Sequence, residues 1–200
     1  MIIGLTGGIG SGKSVIAKQL REIGYAVYDT DSEAKRLIVE DAAVRKQMIQ
    51  LFGSDVYKDG IYQTAFVAQR VFTDKSLLAR LNAIVHPAVR ADILRWATMQ
   101  DSPSFRKGLG IGVCFVECAI LYQAGFDSLC DKVVAVTAPE DIRLERVIAR
   151  DHSTIDKVRA RMRAQNAEQD LLRADIVVNN DGETPISTLC EQILHEAKET

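Results

Sequence analysis

Eight residues near the amino terminus, Gly7-Gly8-Ile9-Gly10-Ser11-Gly12-Lys13-Ser14, have the types and spacing to hold an anion. They follow an apolar run, Ile2-Ile3-Gly4-Leu5, and precede a helical pattern, Val15-Ile16-Ala17-Lys18-Gln19-Leu20. This is the G-x-x-x-x-G-K-S/T pattern in a strand–loop–helix setting. Four glycines in eight residues let the backbone curl until successive N–H groups face one anion. The dipole of the following helix favours negative charge at the same point. Lys13 is suited to the β- and γ-phosphates of a nucleotide, and the Ser14 hydroxyl to Mg2+.

Three further groups are candidates for chemistry. Asp29 and Asp31 close the stretch Val27-Tyr28-Asp29-Thr30-Asp31. Ligands of open parallel sheets bind beyond the carboxyl ends of the strands, so both carboxylates are expected near the opening of the loop. One of them can accept or orient the proton of an acceptor hydroxyl. Asp31, before Ser32-Glu33-Ala34-Lys35, also suits a helix N-cap, and the two roles are compatible. Glu117, after the apolar Val113–Val116, either holds Mg2+ through water or is a helix-start carboxylate with no metal role. Arg143, Arg146 and Arg150 fall on one helical face, and Arg159, Arg161 and Arg163 follow. They form either a solvated face paired with Glu140, Glu145 and Asp151 or a cationic lid. The phosphate loop in the same chain favours the lid. His86-Pro87 is expected to end one helix and start the next. His152 and His195 form no constellation, and Phe72 and Trp96 read as core.

These residues need a scaffold of buried strands. Five continuously apolar runs, Ile2–Thr6, Ala26–Tyr28, Gly112–Val116, Val133–Thr137 and Ile176–Val178, predict parallel strands buried on both faces. Helical patterns separate them, so the fold class is α/β with a parallel sheet between helices. Between the second and third runs lie helical stretches at Glu33–Glu40, Ala42–Phe52, Thr64–Phe72, Ser76–Val85 and Ala88–Met99. The region from about 53 to 100 reads as a helical insertion, the natural place for a second substrate. Asp101-Ser102-Pro103-Ser104 reads as a loop back into the sheet. Pro139–Arg150 and Thr154–Arg173 read as helices of a lid spanning about 140–173. Two hundred residues, 47% hydrophobic and 26% charged with a net charge of −2, suit one domain. Nothing in that balance calls for nucleic acid or a membrane surface. Gly108–Phe126 carries one charge, Glu117, but its glycines argue for a buried strand, a turn and a short helix. Cys114 and Cys118 read as core thiols, and reduced cysteines in a cytoplasmic protein are expected.

Taken together the sequence resembles the dephospho-coenzyme A kinase family over nearly its whole length. The resemblance runs from Gly4-Leu5-Thr6 through Ser14, and Asp29-Thr30-Asp31 is similar to the family's D-A-D. It continues through Arg70-Val71-Phe72, Leu81 to Arg90, Arg146 to Asp151, Arg161-Met162-Arg163-Ala164-Gln165 and Ala174 to Gly182. It implies a P-loop kinase fold and ATP- and Mg2+-dependent phosphorylation of the ribose 3′-hydroxyl of dephospho-CoA, without an obligate protein partner. It further implies that Gly8, Gly10, Ser11, Gly12, Lys13, Ser14 and Val15 contact the ATP phosphates or line their loop, and that Asn180 lies by the adenine. Asp31 would orient the ribose hydroxyl, Arg146 and its neighbours would stabilise the transferring group, and Asp29, His86 and Arg90 would help hold the acceptor. The chain departs from the family at V-P-L-L-F-E, where it reads Val116-Glu117-Cys118-Ala119-Ile120-Leu121-Tyr122-Gln123. A nucleoside monophosphate kinase is the nearest rival reading. A guanine-specific switch is disfavoured by the lack of N-K-x-D.

Overall fold

The computed structural model describes residues 1–100, 112–165 and 172–199. Two compact units divide the chain, Met1–Tyr28 with Ala97–Thr200, and Asp29–Trp96.

The first unit is built on a five-stranded parallel sheet flanked by helices, in the order β2-β5-β1-β6-β7. Its strands are β1 (Ile2–Gly7), β2 (Ala26–Asp29), β5 (Cys114–Glu117), β6 (Lys132–Thr137) and β7 (Ile176–Asn179). All five predicted strands are present, with ends shifted by one or two residues. β1 is central, paired with β5 on one side and β6 on the other. Registration of Leu5 against Glu117 puts the last residue of β5 level with the start of the glycine loop. Helices α1 (Lys13–Glu22) and α8 (Ile186–Glu196) pack together over the core. Ile16, Ala17 and Leu20 meet Ile3, Leu5, Phe115, Val134, Val178, Leu189 and Ile193 there. Tyr25 stands edge-on to Phe115, centroids 5.7 Å apart, a contact contributing about 0.5–1.5 kcal/mol beyond its buried area. α8 is not among the elements predicted above, although Leu189, Cys190 and Ile193 recur at helical spacing.

α6 (Glu140–Asp151) and α7 (Ile155–Ala164) complete the described helices of this unit. The helix expected over Thr154–Arg173 is described only to Ala164, and residues 166–171 lie outside the described set, as does the loop expected at Asp101–Ser104. No short helix follows Glu117 immediately. Turns occupy 119–125, and a 3-10 turn follows at Asp127–Leu129. Cys114, Cys118 and Cys190 are at most 3% exposed. Burial pushes the thiols of Cys130 and Cys190 up to about 12 and about 11. Among the described residues no helix is long and apolar enough to cross a membrane.

The second unit contains α2 (Thr30–Glu40), α3 (Ala42–Phe52), a hairpin of β3 (Tyr57–Lys58) and β4 (Ile61–Tyr62), α4 (Thr64–Thr73) and most of α5 (Lys75–Gln100). The hairpin turns at Asp59-Gly60, both with positive φ (51° and 80°), as a two-residue type I′ turn requires. The Asp59-Gly60 dipeptide is itself a hairpin signal in the sequence. Pro87 does not divide two helices, because α5 runs unbroken for 26 residues with the proline inside it. An interior proline costs about 3 kcal/mol. Val85, Val89 and Ile93, 9%, 2% and 0% exposed on one stripe of the helix, each recover about 1.5–3 kcal/mol by burial, which keeps it continuous. Phe72 is 90% exposed in the last turn of α4, so it is not a core residue.

Candidate active site

The glycine loop leaves α1 without a side-chain cap. Gly12 is the N-cap, in the left-handed region at φ 90°, ψ 13°. By contrast, the carboxylates of Asp29 and Asp41 cap α2 and α3 by accepting N–H bonds. The amides that open α1 are therefore left for an anion. Glycine is required at two points for space as well as conformation. A Cβ on Gly10 (φ 80°) would lie 2.6 Å from the Arg143 carbonyl oxygen, and one on Gly12 would collide with Asn180 Nδ2. Gly12→Ala is expected to cost roughly 1–2 kcal/mol for the left-handed backbone alone, and more once Asn180 is displaced. A lowered melting temperature and lost ATP binding in calorimetry check this.

Lys13, Ser14 and Arg21 of the first unit converge on Glu117. Lys13 Nζ and Ser14 Oγ both donate to its Oε1, each at 2.7 Å, and Arg21 NH2 lies 3.6 Å from Oε2. Glu117 is the final residue of β5, so the helix-start reading is corrected. Its side chain is 6% exposed and that of Lys13 is 13% exposed. A carboxylate so buried persists as an anion only with cations and donors around it. Arg21 was missed in the sequence. The available signal was its position seven residues after Ser14, on the same face of α1.

The opposite side of the loop is braced by α6 and by the end of β7. Arg143 Nε donates to the Ile9 carbonyl at 2.9 Å, and the guanidinium of Arg146 reaches the carbonyls of Asn180 (3.2 Å), Gly10 and Ser11 (both 3.5 Å). Asn180 is 3% exposed. Its Nδ2 donates to the Ser11 carbonyl at 2.9 Å, and its Oδ1 accepts from Arg146 at 3.3 Å. Gln165 Oε1 accepts from the Ile9 amide at 2.7 Å, and its Nε2 donates to the Ala119 carbonyl at 3.0 Å. The outer arginines are used differently. Arg150 and Arg161 both bond Asp151 at 2.7 Å, holding its carboxyl well below the usual range, and Arg159 lies 3.5 Å from Glu140. The arginine-bearing helices thus combine a paired, solvated face with residues bound to the glycine loop.

The second unit carries the remaining candidates. Asp29, not Asp31, caps α2, accepting from the amides of Asp31 and Ser32 and from the Ser32 hydroxyl. Asp31 sits in the first turn and is exposed, with no hydrogen bond to its carboxylate among the described residues. The correction has a simple cause: helical geometry begins at Thr30, two residues earlier than a cap at Asp31 requires. His86 and Arg90, one turn apart on α5, are half-buried, and burial lowers the His86 pKa. Arg36 joins α2 to Asp92 of α5 at 2.7 Å.

A sequence model of the dephospho-CoA kinase family matches residues 1–185. The chain belongs to that family. A dephospho-CoA kinase of Porphyromonas gingivalis is 44% identical over 172 residues, 86% of this chain and 81% of the relative. A solved protein of Thermus thermophilus, TT1252, is similar over 98% of this chain and 97% of its own, with a TM-score of 0.80 and 32% identity. The dephospho-CoA kinase of Campylobacter jejuni shares the fold, with a TM-score of 0.70 and 22% identity over 99% of this chain and 97% of its own. The enzyme class that goes with dephospho-CoA kinase membership is an ATP-dependent phosphotransferase of CoA biosynthesis.

Proposed function

We propose that the chain transfers the terminal phosphoryl group of ATP to the ribose 3′-hydroxyl of dephospho-CoA, giving CoA and ADP in the last step of CoA synthesis. The observation that carries this reading is the meeting of Lys13 and Ser14 on the buried Glu117, beside an uncapped glycine loop, in a chain of this family. The loop amides and Lys13 bind the polyphosphate. As they do so, Lys13 exchanges the carboxylate for phosphate oxygens. Ser14 and Glu117 offer two oxygen donors already within one hydrogen bond of each other, a set that suits a hard divalent cation. Ser14 and Glu117 would hold Mg2+, which when bound would supply positive charge against the phosphates.

On the acceptor side, the exposed Asp31 carboxylate orients the ribose hydroxyl for in-line attack and takes its proton, while Asp29, His86 and Arg90 help hold the acceptor. Arg146 adds positive charge beside the loop. Its bonds to neutral carbonyls, at 3.2–3.5 Å, are weaker than the charge-assisted bonds phosphate offers. Asn180 serves the nucleotide by shaping its loop and by lying on the adenine side. In this reading the chain is one cytoplasmic domain of 1–200, with an acceptor-binding insertion at about 53–100, a lid at about 140–173 and small-molecule partners only.

The test is ADP formation with dephospho-CoA, adenosine, AMP and shikimate as acceptors. Turnover with dephospho-CoA alone supports the reading, and preference for AMP replaces it with a nucleoside monophosphate kinase. Glu117→Gln is expected to raise the Mg2+ needed for half-maximal rate by about tenfold. An unchanged Mg2+ titration removes Glu117 from the metal site.

A further inference from the structure

Arg21 has no place in the chemistry above, yet it faces the acid assigned to the cation, Glu117. Its side chain is 41% exposed, projects from the last turn of α1, and approaches Glu117 Oε2 at 3.6 Å and the Val27 carbonyl at 3.5 Å. The other carboxylate oxygen is occupied differently. Oε1 accepts from both Lys13 and Ser14, and these are the two groups that the proposed reaction diverts to phosphate and cation. When both Oε1 partners turn to the nucleotide, the contact of Arg21 with Oε2 remains. Arg21 lies two turns along α1 from Ser14, on the same helix face, so the residues at the two ends of that face address opposite oxygens of one side chain.

We infer that Arg21 is a positioning residue: it holds the Glu117 carboxylate by Oε2 in its cation-binding orientation once Lys13 and Ser14 have turned to the nucleotide. The inference rests on the metal-side reading of Glu117. It goes beyond that reading by adding a residue that touches neither nucleotide nor acceptor. Groups that orient a metal ligand from behind typically change affinity by about 10–100-fold. The length of this contact places the expected effect near the lower end.

The experiment measures Mn2+ affinity in the presence of ADP by electron paramagnetic resonance, alongside metal-free ADP affinity by calorimetry. The full-length chain is compared with Arg21→Met, Arg21→Lys, Glu117→Gln and the Arg21→Met/Glu117→Gln pair, each shown folded by circular dichroism. Arg21→Met is expected to weaken Mn2+ binding by about tenfold and to leave metal-free ADP binding unchanged. Arg21→Lys is expected to recover most of the loss. In the Glu117→Gln background Arg21→Met is expected to add nothing, as coupled residues are non-additive. Three results overturn the inference alone, given that Glu117→Gln weakens Mn2+ binding: Arg21→Met without effect, an Arg21→Met loss undiminished in the Glu117→Gln background, or equal losses in Arg21→Met and Arg21→Lys. Glu117→Gln without effect on Mn2+ overturns the metal-side reading and this inference with it.

Discussion

Lys13→Ala is expected to lower kcat/KM for phosphoryl transfer by about 10²–10³-fold, the usual cost of removing a preorganised donor from developing negative charge. The substitution has a second consequence that a surface lysine would not have. Lys13 is 2.7 Å from Glu117, whose side chain is 6% exposed. Deleting one partner of a buried pair and leaving the other charged destabilises a fold by about 3–5 kcal/mol. Ser14 and Arg21 remain on the carboxylate, so the loss should fall below that range. Adding Glu117→Gln removes the stranded charge. The double variant is therefore expected to regain most of the lost melting temperature and none of the lost turnover. Denaturant unfolding and ADP formation separate the two effects. Full turnover in Lys13→Ala contradicts nucleotide binding at the loop, and a stability loss unchanged in the double variant contradicts the buried-pair account.

Asp31→Asn carries the second large effect. Removing a positioned base lowers the chemical step by about 10²–10⁴-fold, and ATP affinity should be unaltered because the loss falls on the transition state and the acceptor. The structure makes this a clean experiment. The α2 cap belongs to Asp29, and the Asp31 amide that it accepts from survives the substitution. Asp31→Asn should then unfold at the same denaturant concentration as the unmodified chain. Asp29→Ala should lose about 0.5–2 kcal/mol of stability through the cap. If Asp31→Asn turns over normally, the base lies elsewhere.

The contrast between these two aspartates shows what a linear sequence does and does not reveal. Strands buried on both faces read as unbroken apolar runs, so β1, β5, β6 and β7 were legible, and so was the loop, whose glycines, lysine and serine are neighbours in the chain. Which aspartate caps α2 depends on a two-residue difference in where helical geometry starts, and that is below the precision of pattern reading. Pro87 announced a helix boundary that the burial of Val85, Val89 and Ile93 overrides. Tertiary packing decided that point against local propensity. The Arg21–Glu117 approach joins residues 96 positions apart and is created only when β5 registers against β1. Asn180 and Gly12 are likewise brought together only by the docking of β7.

The concealed thiols offer a practical consequence. Cys118 directly follows Glu117, whereas Cys190 lies on α8 against the back of α1, and they are 2% and 1% exposed. Neither reaches an alkylating reagent until the chain around it opens, so each labelling rate is a clock for the breathing of its own neighbourhood. Saturating nucleotide should slow the clock at Cys118 far more than the one at Cys190 if opening around Glu117 is local. It should slow both alike if the unit opens as a whole.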